Sequence, residues 1–348
     1  MTLTEVSFYS RKFVPFALLF FLILLIFYYL IKVLLLTITP TQQITLYTDP
    51  IFGKIKRPII LDPKPSSNLN FSIDTIEGKP VTSTESAKVF FLPSAAAKFG
   101  YRERIYLIAK SLGFDTEVVK HKLDGKEAVF QDATQTLKID ITNLNFTYEY
   151  NFENEQQIFE NTIIPPKKDS EDKAIDFLKT VGRYPEELAQ GKSNAIFISF
   201  DPAARQMKLL ETSFGSNMVE VDFYRPDQEI YPVVSPKYFN SQNYVMLVAY
   251  EGDFKILKAQ IKFYEKSDSQ IGIYPVKTGD AAYEALKTGK GLIIQNESAG
   301  SDIVIKKMFL GYFDPDVYQE YYQPVYVFLG NNNFVGYVPA VTDEFYTE

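Results

Sequence analysis

The sequence predicts an α+β protein: a single N-terminal transmembrane helix, followed by units in which one helix precedes an antiparallel meander. Three observations carry that expectation. Phe13–Ile31 is an uncharged apolar stretch of 19 residues. Three later segments of helical periodicity each open a run of consecutive strand-like segments. Nowhere do strands and helices alternate singly, the pattern that a parallel sheet with crossover helices requires.

The apolar stretch reads FVPFALLFFLILLIFYYLI. At 1.5 Å per helical residue it spans about 28 Å, close to the roughly 30 Å hydrocarbon thickness of a bilayer. Pro15 fits the first turn, where its missing N–H costs nothing. Tyr28 and Tyr29 suit the headgroup interface, and Lys32 can extend its ammonium outward beyond them. The exit, LLLTITPTQQ, lacks the small-residue pattern of a cleavage site, so a retained anchor is expected over residues 13–36. Arg11 and Lys12 precede the span. The positive-inside bias therefore keeps residues 1–12 in the cytoplasm and sends the bulk of the chain outside, with the lipid bilayer as the partner of Phe13–Ile31.

Residues 37–92 read as a β-rich stalk or first extracytoplasmic segment, because Pro50, Pro58 and Pro63 punctuate extended stretches. A helix-plus-meander unit is expected over residues 93–165. Its helix, Arg102–Leu112, closes at Gly113, and the strands EAVFQD, TLKIDITN and LNFTYEYNF follow an Asp124-Gly125 hairpin turn. The Pro-containing, charged stretch Asn161–Asp172 separates it from a second α+β domain over residues 166–348. There Ser170 is expected to cap a helix over Glu171–Val181, and Thr278 a helix over Asp280–Lys287, with Gly182 and Gly289 as stops. Strands follow each helix, among them Met218–Tyr224, Tyr244–Tyr250, Ile303–Tyr312 and Pro324–Leu329.

Composition narrows the function. Lys and Arg number 36 against 43 Asp and Glu, a net charge of −7 that leaves no broad basic footprint for a nucleic acid. With no Cys and a single His, disulfides, thiolate metal sites, cysteine nucleophiles and multi-imidazole centres are excluded. No cofactor or metal is expected. His121, alternating with Val119 and Leu123, reads as a strand residue and not as the base of a triad. Ser170-Glu-Asp-Lys173, with Lys277-Thr-Gly279 and Lys287-Thr-Gly289, imitates the S-x-x-K and K-T-G set of penicillin-binding enzymes. No S-D-N element lies between them, and helix capping and termination explain these residues. Gly289-Lys290-Gly291 lacks P-loop spacing. Asp314, Asp316 and Glu320 lack the spacing of a calcium loop and read as solvated. The segment holding Tyr312, Tyr318, Tyr321, Tyr322 and Tyr326 is the most distinctive candidate surface, since phenols serve protein interfaces well. Tyr321, Tyr322 and Tyr326 are the expected partner contacts.

The segments IYPVKTGDAAYEALKTGKGLI and IVIKKMFLGYFDPDVYQEYYQPVYVFLGNNNFVGYVPAV resemble the C-terminal module of the YycH/YycI regulators. That module has a capped helix with an early Ala, an LGY-like strand and a Y-x-P-V-aromatic-V strand. Thr278–Lys287, Leu310–Tyr312 and Tyr322–Phe328 look like these elements. Where the family carries Pro-Val-Trp, this chain has Pro324-Val325-Tyr326. The helix-plus-meander units are also similar to PepSY-like domains. The resemblance covers about 75 residues and the overall topology. It implies a non-enzymatic extracytoplasmic regulator restraining a membrane sensor histidine kinase. The expected function is a membrane-anchored binding or regulatory protein without catalysis. The alternatives are an envelope scaffold and an anchored envelope hydrolase, the latter requiring two carboxylates that converge in a cleft with raised proton affinity.

Overall fold

The computed structural model describes residues 3–38, 47–61, 64–65, 69–97, 99–117, 122–124, 126–152, 155–159, 162–250, 253–297 and 300–347. Two units result, Met1–Tyr47 and Thr48–Glu348. The first is built on helix α1, Leu3–Ile38, whose 36 residues give a length of about 54 Å. Its large apolar side chains from Phe13 to Ile31 are 44–72 % exposed. Among the described residues no helix is long and apolar enough to cross a membrane. The helix runs past the expected anchor, residues 13–36, at both ends, and the expected membrane span is not supported among the described residues.

Among the described residues of the second unit, three sheets carry the chain. The largest has nine strands in the spatial order Lys122–Asp124, Glu127–Gln131, Gln135–Asp140, Phe146–Tyr150, Asp253–Ile261, Tyr244–Tyr250, Met218–Tyr224, Lys192–Asp201 and Gln206–Leu210. Every neighbouring pair in it is antiparallel. The seam between Phe146–Tyr150 and Asp253–Ile261 joins strands from residues 93–165 to strands from 166–348, so the stretch Asn161–Asp172 is no boundary between separate sheets. A seven-stranded sheet orders Lys64–Pro65, Leu292–Gln295, Val335–Pro339, Pro324–Gly330, Asp302–Phe313 and Val233–Val234, with Asn70–Ile73 also on the long Asp302–Phe313 strand. Asn70–Ile73 and Val233–Val234 both run parallel to that strand, a correction to the wholly antiparallel expectation. The third sheet places Ser86–Phe91 between Ile271–Pro275 and Tyr321–Tyr322. The described residues of 48–92 are thus woven into the sheets rather than standing apart as a stalk. Ile55 is fully buried with Val89, Tyr274, Val341 and Tyr346.

Local chemistry sets the helix ends. Helix α2, Tyr101–Ser111, turns its Ile105, Ile108 and Ala109 into the core, and Gly113 at φ +84° lets Phe114 N–H return to Ala109 O at 3.1 Å. Helix α3, Lys167–Thr180, begins four residues before the expected start because Pro166, at φ −57° and ψ 163°, holds the entry extended and releases the helix after it. Ser170 is therefore not the cap. It lies inside the helix, buried, and donates to Pro165 O at 3.1 Å. The single turn α4, Glu186–Gln190, follows Pro185 and was not expected. Helix α5, Gly279–Lys287, is capped as expected: Thr278 Oγ1 accepts the Ala281 N–H at 3.2 Å.

Candidate functional site

Strand Pro324–Gly330 lies centrally in its sheet, and five consecutive residues from Pro324 to Phe328 are buried. Tyr326 is consequently 0 % exposed and donates to Lys277 O at 2.8 Å. Tyr322, 1 % exposed, stacks on Tyr312 with ring centroids 5.3 Å apart and meets Phe90 at 6.0 Å. Tyr321 is half-buried against Phe52 at 5.2 Å. The expected contact surface is corrected accordingly. Tyr322 and Tyr326 are core residues, Tyr326 on a strand buried on both faces and Tyr322 on the buried face of the small sheet, and Tyr321 packs at that sheet's edge.

Beside Tyr322 lies a buried charge cluster. Along Met218–Tyr224 the alternation Val219, Val221, Phe223 points inward, and Arg225 takes the next inward position. Its Nε donates to Asp314 Oδ1 at 2.7 Å, Nη1 to Glu187 and Nη2 to Tyr264 O. Phe263 lies under the guanidinium, 4.0 Å from centroid to Cζ. Gln242 Nε2 donates to Asp314 Oδ2 at 2.6 Å, and Lys266 pairs with the remaining Glu187 oxygen. Burial works against the charged guanidinium, yet the Asp314 and Glu187 carboxylates outweigh it and leave its pKa raised. Arg225 therefore stays charged. Asp314, expected on a solvated loop, is 3 % exposed and belongs to this cluster. The cluster ties the nine-stranded sheet, through Arg225, to α4, to the end of Asp302–Phe313 and to the small sheet that carries Tyr322. Sequence reasoning missed it, although the signal was present: Arg225 continues an apolar alternation, and Asp314 does so after Leu310 and Tyr312.

A carboxylate pair occupies the opposite face of Met218–Tyr224. Glu220 and Asp222 stand two residues apart and so share that face. Asp222 is 0 % exposed; its Oδ2 accepts Ser241 N–H at 2.9 Å and Tyr224 O–H at 3.0 Å, while Oδ1 has no partner. Burial, then repulsion from Glu220, pushes its pKa up to about 7. Glu220 is raised for the first of these reasons, and Asn240 Nδ2 donates to it at 3.4 Å. The raised proton affinity is what the hydrolase alternative calls for, but Asp222 is buried here and not set in an open cleft.

The remaining sequence candidates fall elsewhere. His121 lies outside the described residues. Lys173 approaches the Phe254 ring at 5.4 Å. Lys277 is buried, donates to Pro339 O at 3.1 Å and to Val341 O, and pairs with Asp343 at 3.1 Å. It lines a cavity of about 590 Å³ with Thr278, Ala281, Thr288 and Lys290. No cluster of three or more acidic or imidazole side chains able to hold a metal occurs among the described residues.

Fold and site together define a mixed α+β protein, mostly sheet, in which one buried charge cluster, Arg225 with Asp314 and Glu187, joins sheets. No family model matches the chain, and no curated protein matches it. Ten solved chains match. One is an uncharacterized protein from Eubacterium rectale, 13 % identical, matched over 80 % of this chain and 89 % of that chain with a TM-score of 0.36. Another is the C-terminal domain of Bacillus megaterium YpeB, 11 % identical, over 72 % and 95 % of the two chains with a TM-score of 0.29. At such scores neither likeness carries an argument about function.

Proposed function

We propose that the protein is a membrane-anchored, extracytoplasmic binding protein that regulates another protein of the same membrane without catalysis. The observation that supports this most is α1: a continuous helix that includes all of Phe13–Ile31, with its large apolar side chains exposed. Exposed apolar area on that scale is costly in water, and lipid or a partner helix removes the cost. The resemblance to YycH/YycI regulators supplies the class of partner, a sensor protein spanning the membrane once or more. Regulation of this kind is coupling: the exported unit biases the partner only so far as it binds one partner state better than the other.

Crosslinking in native membranes, followed by detergent extraction and recovery of the tagged protein, tests the reading against a variant whose Phe13–Ile31 is replaced by poly-Leu. A single stoichiometric membrane partner with the natural span, reduced or lost with poly-Leu, is the expected outcome. No partner from either form contradicts it.

A further inference from the structure

Between strand Val233–Val234 and strand Tyr244–Tyr250 the chain forms a strap, residues 235–243, that bridges two sheets. At one end it is tied to the carboxylate face of Met218–Tyr224. Ser241 N–H reaches Asp222, Ser241 Oγ donates to Phe223 O at 2.6 Å, Asn240 Nδ2 reaches Glu220, and Phe223 N–H donates to Asn243 O at 2.8 Å. At the other end Tyr337 O–H donates to Ser235 O at 2.8 Å, and Tyr238 packs with Val234, Phe313 and Tyr337 over the seven-stranded sheet. Tyr238 sits at φ +62°, a left-handed conformation that strains a bulky residue. The closed strap thus holds backbone strain, and it seals a carboxyl group with an orphan oxygen next to a second carboxyl group.

We propose that this strap is a proton-controlled latch, in which ionisation of the Glu220–Asp222 pair favours release of its outer part, residues 235–241, from the nine-stranded sheet, while Gln242 and Asn243 stay held by Asp314 and by Lys262 N–H. Closed, the strap keeps water from Asp222, so a negative charge there meets Glu220 without solvent to screen it. Open, both groups are hydrated and regain ordinary carboxylate affinities. The other facing groups leave that sign unchanged. Lys237 on the strap and Lys258 on Asp253–Ile261 attract the charged forms, but Lys237 is exposed and Lys258 half-buried. Tyr224 and Tyr244 are held neutral by burial, and exposed Glu149 adds repulsion toward Tyr244.

The linkage follows directly. The closed state binds the Asp222 proton with a pKa of about 7, the open state near 3.8. Closure is therefore favoured at acid pH, weakens as pH rises from about 4 to about 7, and changes no further above that. Opening uncovers the Glu220–Asp222 face of Met218–Tyr224.

Hydrogen exchange read by mass spectrometry on the full chain in detergent micelles tests this, with protection corrected for intrinsic exchange. From pH 5.5 to pH 8.0, peptides covering 235–241 are expected to lose protection by about 30-fold, while peptides of Pro324–Gly330 hold theirs. Asp222→Asn is expected to abolish the loss and keep the strap protected at both pH values. Glu220→Gln, which leaves Asp222 in place, is expected to shrink it. Equal strap protection of the natural chain at both pH values overturns the proposal, whether or not either variant folds. So does an undiminished loss in a folded Asp222→Asn chain.

Discussion

Asp314→Ala is expected to destabilise the protein by about 3–5 kcal/mol, because it leaves the Arg225 guanidinium buried with one carboxylate fewer and strips Gln242 of its carboxylate acceptor, leaving only the longer bond to Asp314 O. The cost comes from the orphaned charge more than from the lost attraction. Replacing Arg225→Met together with Asp314→Leu is accordingly expected to recover most of the loss, since a well-packed apolar pair of similar volume can match a buried ion pair. Glu187 is partly exposed and keeps Lys266 as its partner, so the double variant leaves no fully buried charge behind. Urea midpoints at unchanged slope read the effect, and a double-mutant cycle isolates the coupling. If Asp314→Ala cost less than about 1 kcal/mol, the cluster would not be the joint between the sheets.

Gly191→Ala is expected to cost at least the upper end of the roughly 1–3 kcal/mol usual for overpacking. Gly191 links α4 to strand Lys192–Asp201, and an added Cβ would stand 1.8 Å from Tyr224 O and 3.0 Å from Arg225 C. These are backbone atoms at and just past the end of the paired strand Met218–Tyr224, so no rotamer change relieves the clash. The strand must move, carrying Arg225 away from Glu187. Gly53→Ala is the matched control. Its φ of +63° imposes left-handed strain, but nothing lies within 4 Å of the added Cβ, so about 1 kcal/mol is expected. Equal losses in the two variants would show that the close approach at Gly191 is of no consequence.

Much of the fold was legible in alternation and punctuation. Met218–Tyr224 and Tyr244–Tyr250 have the bounds that their apolar patterning suggests, and Thr278 and Gly113 act as their chemistry suggests. The parallel pairing of Asn70–Ile73 with Asp302–Phe313 was not legible, because its partner lies more than 200 residues away and four residues carry little periodicity. Ser170 misled because a good capping residue lay within a helix that Pro166 had already started. The tyrosines misled for a different reason. PVYVFL is a continuous apolar run, the mark of a strand buried on both faces, and that argues against an exposed contact surface at Tyr326. The buried charges needed only the alternation to be followed one step further, to Arg225 and Asp314. A polar residue that continues an apolar face is where a core acquires a specific joint.

The proposal of an anchored, exported unit rests on the two sides of α1 facing different compartments. The chain contains no cysteine, so single substitutions report position without background. Ser7→Cys and Glu77→Cys, each in otherwise natural protein in intact cells, would be treated with a membrane-impermeant maleimide before and after permeabilisation. Labelling of Glu77→Cys in intact cells, with Ser7→Cys reacting only after permeabilisation, is the predicted result. Protection of Glu77→Cys in intact cells would contradict the account, since the sheets and their strap would then lie on the cytoplasmic side.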